Sequence, residues 1–259
     1  MDGVGDKVPP AIEQLGASIE FVDSDELAWG DLSRFDVIVT GVRAYERRAD
    51  LRANNDRLLQ YVDGGGTLIV QYNKFEFNEA QYGPYAAEVS RNRVTDEQAP
   101  VRLLRTDHSV FGWPNSIGPA TWSNWVQERG LYFLGDKDPQ YTDLVELEDT
   151  FEWNPGVKRG ALVEAQYGSG RWIYVGLGLW RQLPAGTVGA YQLLANLLSL
   201  WSVNKLLINE HSLSRWSTDV YPPGDKIFYW SARPSRYTAP LGSATPLSGS
   251  KVRATAIGS

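Results

Sequence analysis

The chain has 259 residues, 42% of them hydrophobic, enough for one large domain with a buried core, which excludes a chain disordered throughout. With 31 acidic against 25 basic residues the net charge is -6, so the charge balance gives no reason to expect nucleic acid or an anionic membrane as partner. No cysteine and only two histidines, His108 and His211, exclude disulfides, thiolate zinc sites and cysteine nucleophiles and leave little for a histidine metal site.

Met1 is followed by Asp2, Gly3 and Asp6 where a leader peptide would carry basic and then apolar residues. No apolar run approaches the roughly 20 residues of a membrane span, so the chain as it stands reads as soluble. Gly3-Val4-Gly5 lacks the third glycine of a dinucleotide fingerprint and follows no strand, so nucleotide binding is not expected. Residues Val8 to Leu15 read as a short helix stopped by Gly16, and Ser18 to Val22 as a strand. Phe35 to Thr40, with three aliphatic residues in succession, reads as a central strand buried on both faces. Leu51, Leu58, Leu59 and Val62 share one face of a helix over Asp50 to Val62, which Gly64, Gly65 and Gly66 end. Thr67 to Val70 is the next buried strand.

Residues 72 to 100 show little periodicity and read as a surface excursion, with Glu76, Glu79 and Glu88 as solvated loop charges. Val101 to Leu104, Leu131 to Leu134 and Asp143 to Leu147 read as short strands, with Trp113, Trp122 and Trp125 in turns between them. Ala161 to Ala165 and Arg171 to Val175 flank Gly168-Ser169-Gly170, a hairpin signal, and an apolar helix runs from about Thr187 to Leu200. Alternating helices and strands predict an α/β domain over 1–205 built on a mostly parallel sheet. An opening strand before the first helix looks missing. Residues 206–259, rich in Ser, Pro and Arg, read as a poorly ordered tail in which Ile227 to Trp230 could dock locally. His108, in a turn before an apolar pair, reads as a structural residue making backbone bonds rather than as a base.

Four strings occur together: Phe35-Asp-Val-Ile-Val-Thr-Gly-Val-Arg-Ala-Tyr45, Gly64-Gly-Gly-Thr-Leu-Ile-Val-Gln-Tyr-Asn73, Trp125-Val-Gln-Glu-Arg-Gly-Leu-Tyr-Phe-Leu-Gly135 and Gly178-Leu-Trp-Arg-Gln-Leu-Pro-Ala-Gly186. As a set, over about residues 3 to 200, they resemble the carboxy-terminal class I glutamine amidotransferase-like domain of long bacterial PIG-L (LmbE-like) deacetylases. The resemblance implies a flavodoxin-like, glutamine amidotransferase-like sheet with helices on both faces. It implies a parent zinc hydrolase that deacetylates N-acetylglucosamine-type sugars, with zinc held only in a deacetylase domain outside this chain. Family members are often exported, which suggests a periplasmic setting. The His-Pro-Asp-Asp type motif of the zinc domain is not found here.

Active glutaminases of that fold place a Cys after a central strand and a His and a Glu near the last one, because a thiol needs an adjacent base. Here those positions read Gln71-Tyr72-Asn73 and Trp180-Arg181-Gln182, so glutamine hydrolysis is excluded and no catalytic residue is assigned. The strand tips instead offer Arg43, Tyr45, Tyr72, Asn73, Trp180, Arg181 and Gln182. Aromatic faces, amides and guanidinium forks are what a glycan or carboxylate ligand needs. The expected role is a non-catalytic accessory domain that positions a glycan-like substrate or packs on the deacetylase domain of the same polypeptide. The alternative is a free-standing ThuA-like sugar-active enzyme or sugar-binding module.

Overall fold

The computed structural model describes residues 7–208 and 253–257, with side chains through 201. The Gly3-Val4-Gly5 turn, His211 and the proposed docking of Ile227 to Trp230 lie outside the described residues. The chain opens with α1 (Val8–Gln14), whose prolines sit in the first turn where no backbone N–H is needed. It continues through β1 (Ser18–Phe21), α2 (Ser24–Trp29), β2 (Val37–Thr40), α3 (Ala44–Arg47), α4 (Ala49–Ala53), α5 (Asn55–Asp63) and β3 (Thr67–Gln71). Eight short strands follow: β4 (Ala87–Val89), β5 (Arg93–Val94), β6 (Val101–Leu103), β7 (Gly130–Leu131), β8 (Leu134–Lys137), β9 (Tyr141–Asp143), β10 (Val145–Leu147) and β11 (Lys158–Arg159). The last elements are β12 (Leu162–Tyr167), β13 (Gly170–Val175), α6 (Leu179–Gln182), α7 (Val188–Ile208) and β14 (Arg253–Ile257). None of the described helices is long and apolar enough to cross a membrane.

The main sheet has the order β1-β14-β2-β3-β13-β12-β9. It is parallel from β1 to β13 and antiparallel from β13 through β12 to β9, so it is mixed rather than of one sense. The hairpin explains the reversal. Tyr167 pairs with Gly170 across Gly168-Ser169, and a two-residue turn can only return the strand antiparallel. Gly168 adopts φ 55, a conformation that glycine tolerates at no steric cost.

Alternation along the central strands builds two cores. Val37, Val39, Ile69, Ile173 and Val175 face α1 and α7, while Ile38, Leu68, Val70, Trp172 and Tyr174 face α2, α4 and α5. Both faces of the sheet are therefore covered by helices, which is why these strands read as unbroken apolar runs.

Four differences from the sequence reading have physical causes. The single helix expected over Asp50 to Val62 breaks at Asn54, where φ is -115 and the side chain bonds back to Asp50 O at 2.9 Å. Next to it, Asn55 is drawn inward to accept from Tyr45 Oη at 2.7 Å and donate to Tyr82 O at 3.1 Å. The strand expected over Asp143 to Leu147 is two, β9 in the main sheet and β10 between β6 and β11, divided at Leu144. The strand expected over Leu131 to Leu134 is interrupted by Tyr132, which sits at φ 54. Last, part of the segment read as a tail is a strand. Residues 253–257 lie parallel between β1 and β2.

Candidate functional site

The carboxyl ends of β2, β3 and β13 meet at one edge of the sheet, where open α/β sheets hold ligands. Arg43 N donates to Tyr72 O at 2.9 Å, tying the first tip to the second. Asn73 N donates to Tyr174 Oη at 3.2 Å, and Tyr174 Oη donates to Tyr132 O at 2.7 Å, which draws in the segment before β8. From the third tip Trp180 lays its ring 4.3 Å from that of Tyr72, and Tyr72 stacks on Tyr132 at 5.8 Å. Phe75 meets Tyr132 edge-on at 5.7 Å, with the Arg91 guanidinium 4.8 Å over its own ring. The result is an aromatic floor of Trp180, Tyr72, Tyr132 and Phe75.

Two arginines flank the floor, each held by a carboxylate. Arg43 Nε and Nη2 donate to Glu46, and that pairing raises its guanidinium above the ordinary value. Arg181 Nε donates to Glu128 Oε1 at 2.6 Å and its Nη1 to Gln127. In each case one terminal nitrogen, Nη1 of Arg43 and Nη2 of Arg181, has no partner among the described residues. Glu128 is itself buried and also lies 3.7 Å from Arg93. Burial raises the Tyr72 hydroxyl above the usual tyrosine value, and the nearby Arg43 opposes that shift.

Glu76 was read as a solvated charge and is not one. Its Oε2 is buried without a hydrogen-bond partner, and its charge is felt at Arg43. A buried, unpaired carboxylate oxygen is costly and calls for a donor. The backbone is strained here too. Arg43, Gln127 and Tyr132, at φ 57, 66 and 54, are three of the five described non-glycine residues in the left-handed region. Each such conformation costs about 1–3 kcal/mol, and such residues cluster at functional sites.

Of the seven residues singled out from sequence, the structure brings Arg43, Tyr72, Trp180 and Arg181 together at the floor and turns the other three inward. Tyr45 is fully buried and donates to Asn55. Asn73 accepts from Tyr45 N at 3.1 Å and donates to Gln71 O at 2.8 Å, capping the strand tip. Gln182 accepts from Val126 N at 2.8 Å and donates to Val126 O at 2.8 Å. These three shape the crevice and present no free polar atom to it. Sequence reasoning missed Tyr132, Gln127, Glu128 and Glu76. The first three lie in or beside the Trp125–Gly135 string, which marked the resemblance but carried no period to place it.

His108 is committed on both nitrogens. Its Nδ1 accepts from Val110 N at 3.2 Å, which puts the proton on Nε2, and Nε2 faces Glu164 Oε2 at 2.9 Å. Glu164 also takes Arg171 Nη1 at 2.9 Å. No ring nitrogen is left to act as a base. Among the described residues no group of three or more His, Asp or Glu is placed to hold a metal ion.

No family model and no curated protein matches this chain. Solved structures that it resembles include the cytoplasmic protein STM3548 from Salmonella typhimurium, with 13% identity and a TM-score of 0.45 over 78% of this chain and 85% of that one. Another is the cold-adapted beta-galactosidase of Rahnella sp. R3, with 15% identity and a TM-score of 0.41 over 77% of this chain and 26% of that one.

Proposed function

We propose that the chain is a non-catalytic, glycan-binding accessory domain of flavodoxin-like, glutamine amidotransferase-like organisation, working beside a PIG-L-type zinc deacetylase domain. The observation that carries the reading is the Trp180–Tyr72–Tyr132 stack between two pre-oriented arginines at the carboxyl ends of the parallel strands. A sugar ring lays its C–H face on the Trp180 and Tyr72 rings. Its hydroxyls accept from Arg43 Nη1 and Arg181 Nη2 and donate to Glu76 Oε2, supplying the donor that this oxygen lacks. The charges nearly cancel, with Arg43 and Arg181 against Glu46, Glu76 and Glu128, which favours an uncharged sugar over an anion. The four sequence strings support the PIG-L setting.

The test is titration of the chain with N,N′-diacetylchitobiose, read by calorimetry and tryptophan fluorescence. Trp180→Ala removes a stacking face worth about 1.5–3 kcal/mol, so Kd rises about ten- to hundredfold. Arg43→Asn, which tolerates the left-handed backbone, weakens binding while leaving stability in place. Absence of both sugar binding and affinity for a separately made deacetylase domain would refute the proposal. Turnover of the sugar by the chain alone, lost in Tyr72→Phe or Arg181→Lys, would replace it with the ThuA-like enzyme.

A further inference from the structure

A second cavity lies across the 126–131 segment from the aromatic floor. Its volume is about 690 Å³, within the range of small-molecule sites, and its lining includes Glu97, Gln98, Pro119, Trp122, Trp125 and Arg129. Arg129 is 3% exposed and has no carboxylate at ion-pair distance among the described residues, whose ion pairs otherwise take up buried Glu128 and Glu146. Its Nε donates to Ala99 O at 2.9 Å, its Nη1 donates to Trp122 O, and its guanidinium lies 5.5 Å from the centre of the Trp125 ring. Nη2 has no hydrogen-bond partner among the described residues. Burial pushes this guanidinium down to about 10, a shift that the charges of Asp96 and Glu97 oppose.

Asp96 and Glu97 favour its charge through space, but neither lies within ion-pair distance of it. Asp96 is occupied, accepting from Gln98 N at 2.8 Å and from the Thr150 hydroxyl. Glu97, half-buried at the cavity wall, makes no ion pair among the described residues. We propose that the cavity is a receptor for a small organic carboxylate of sugar-acid size, taken by the free Nη2 edge of Arg129. A carboxylate oxygen accepts from this edge in a charge-assisted hydrogen bond, beside the Trp122 and Trp125 rings that line the cavity. A doubly charged phosphate is opposed more strongly by Glu97 and Asp96. This site is separate from the aromatic crevice, and neither proposal depends on the other.

The test is calorimetric titration of the full chain carrying Trp180→Ala, which silences the crevice, with sodium D-glucuronate as probe and D-glucose and inorganic phosphate as controls. Glucuronate binds at one site and glucose does not. Glu97→Gln removes a repelling charge and tightens binding about threefold or more, while Gln98→Glu at the exposed mouth weakens it by a similar factor. Both substitutions lie outside the core, so the fold is preserved. An equal response to glucose, tighter binding of phosphate, or an affinity indifferent to both charge changes would overturn the proposal. So would loss of stability without tighter binding in Glu97→Gln, which would mark Glu97 as an internal counter-ion.

Discussion

Gln182 decides whether the segment between the two sites is held by a buried amide. Its side chain is fully enclosed and makes four contacts: from Val126 N at 2.8 Å, to Val126 O at 2.8 Å, to Glu128 O at 3.3 Å, and from Thr187 Oγ1 at 3.4 Å. Gln182→Leu removes them all without emptying the space. Val126 O keeps its bond from Glu128 N at 2.8 Å, so the orphans are Val126 N–H and Glu128 C=O. Each unpaired buried backbone group costs about 1–3 kcal/mol. The added apolar burial returns about 1 kcal/mol and partial access of water to Val126 lowers the cost further, leaving a net loss of about 2 kcal/mol. Urea unfolding followed by circular dichroism should show a lower midpoint at unchanged slope. A midpoint within about 0.5 kcal/mol of the parent, as for a surface substitution, would refute the account of Gln182 as a structural tie.

Glu164 makes stability depend on acid. Burial alone would raise its carboxyl, but the His108 hydrogen bond and the Arg171 charge outweigh that and hold it below the ordinary value of 4.5. A carboxyl lowered on folding stabilises the protein above its unfolded value, and that contribution is lost as the pH falls below it through the folded value. Denaturation profiles should therefore show an acid limb that Glu164→Gln flattens, and an unchanged limb would contradict the assignment. Gly189 lies where a Cβ would come within 1.8 Å of Thr121 O, a backbone atom with nowhere to move. Gly189→Ala should cost about 2 kcal/mol or more despite alanine's better helix propensity, and a thermal melt showing equal or higher stability would contradict this.

What could be read from sequence divides along a physical line. The strands β2, β3 and β13 announced themselves because burial on both faces requires continuous apolar runs. Their common carboxyl edge then followed from the topology of parallel sheets. The helix α2 was legible and missed: Asp23 caps it by accepting from Glu26 N at 2.8 Å, an Asp-x-x-Glu signature. Which side chains at the tips would face out was not legible. Arg43 and Tyr45 are two residues apart at one turn, yet the left-handed Arg43 reaches the crevice while Tyr45 enters the core against Phe77 and Tyr82. Residue type alone gave Asn73 and Gln182 the same standing as Arg181, and only long-range partners separate them. The parallel strand at 253–257 has no local signal either, because its place depends on neighbours more than two hundred residues earlier in the chain.

The segment 126–131 carries the strongest argument for function because both sites use it. Glu128 and Arg129 are adjacent in sequence, and an isolated acidic-basic pair in a loop reads as solvated surface. In the fold both are buried, with Glu128 turned to Arg181 at the aromatic floor and Arg129 to the second cavity. The two neighbouring side chains go to opposite sides, so this one segment, leading into β7, can wall two sites at once. Its own backbone is fixed from both edges. Arg129 N donates to Val94 O at 3.0 Å, Gly178 N donates to Arg129 O at 2.8 Å, and Leu131 N donates to Gly176 O at 3.0 Å. At Gly130 a Cβ would fall 2.2 Å from Gly176 O, so only glycine lets β7 and the turn after β13 approach this closely. Those bonds serve the scaffold alone and account for the backbone. They do not account for the free edge of the Arg129 guanidinium or, at the aromatic floor, for the buried Glu76 Oε2 with no donor, and these are the groups that a ligand would complete.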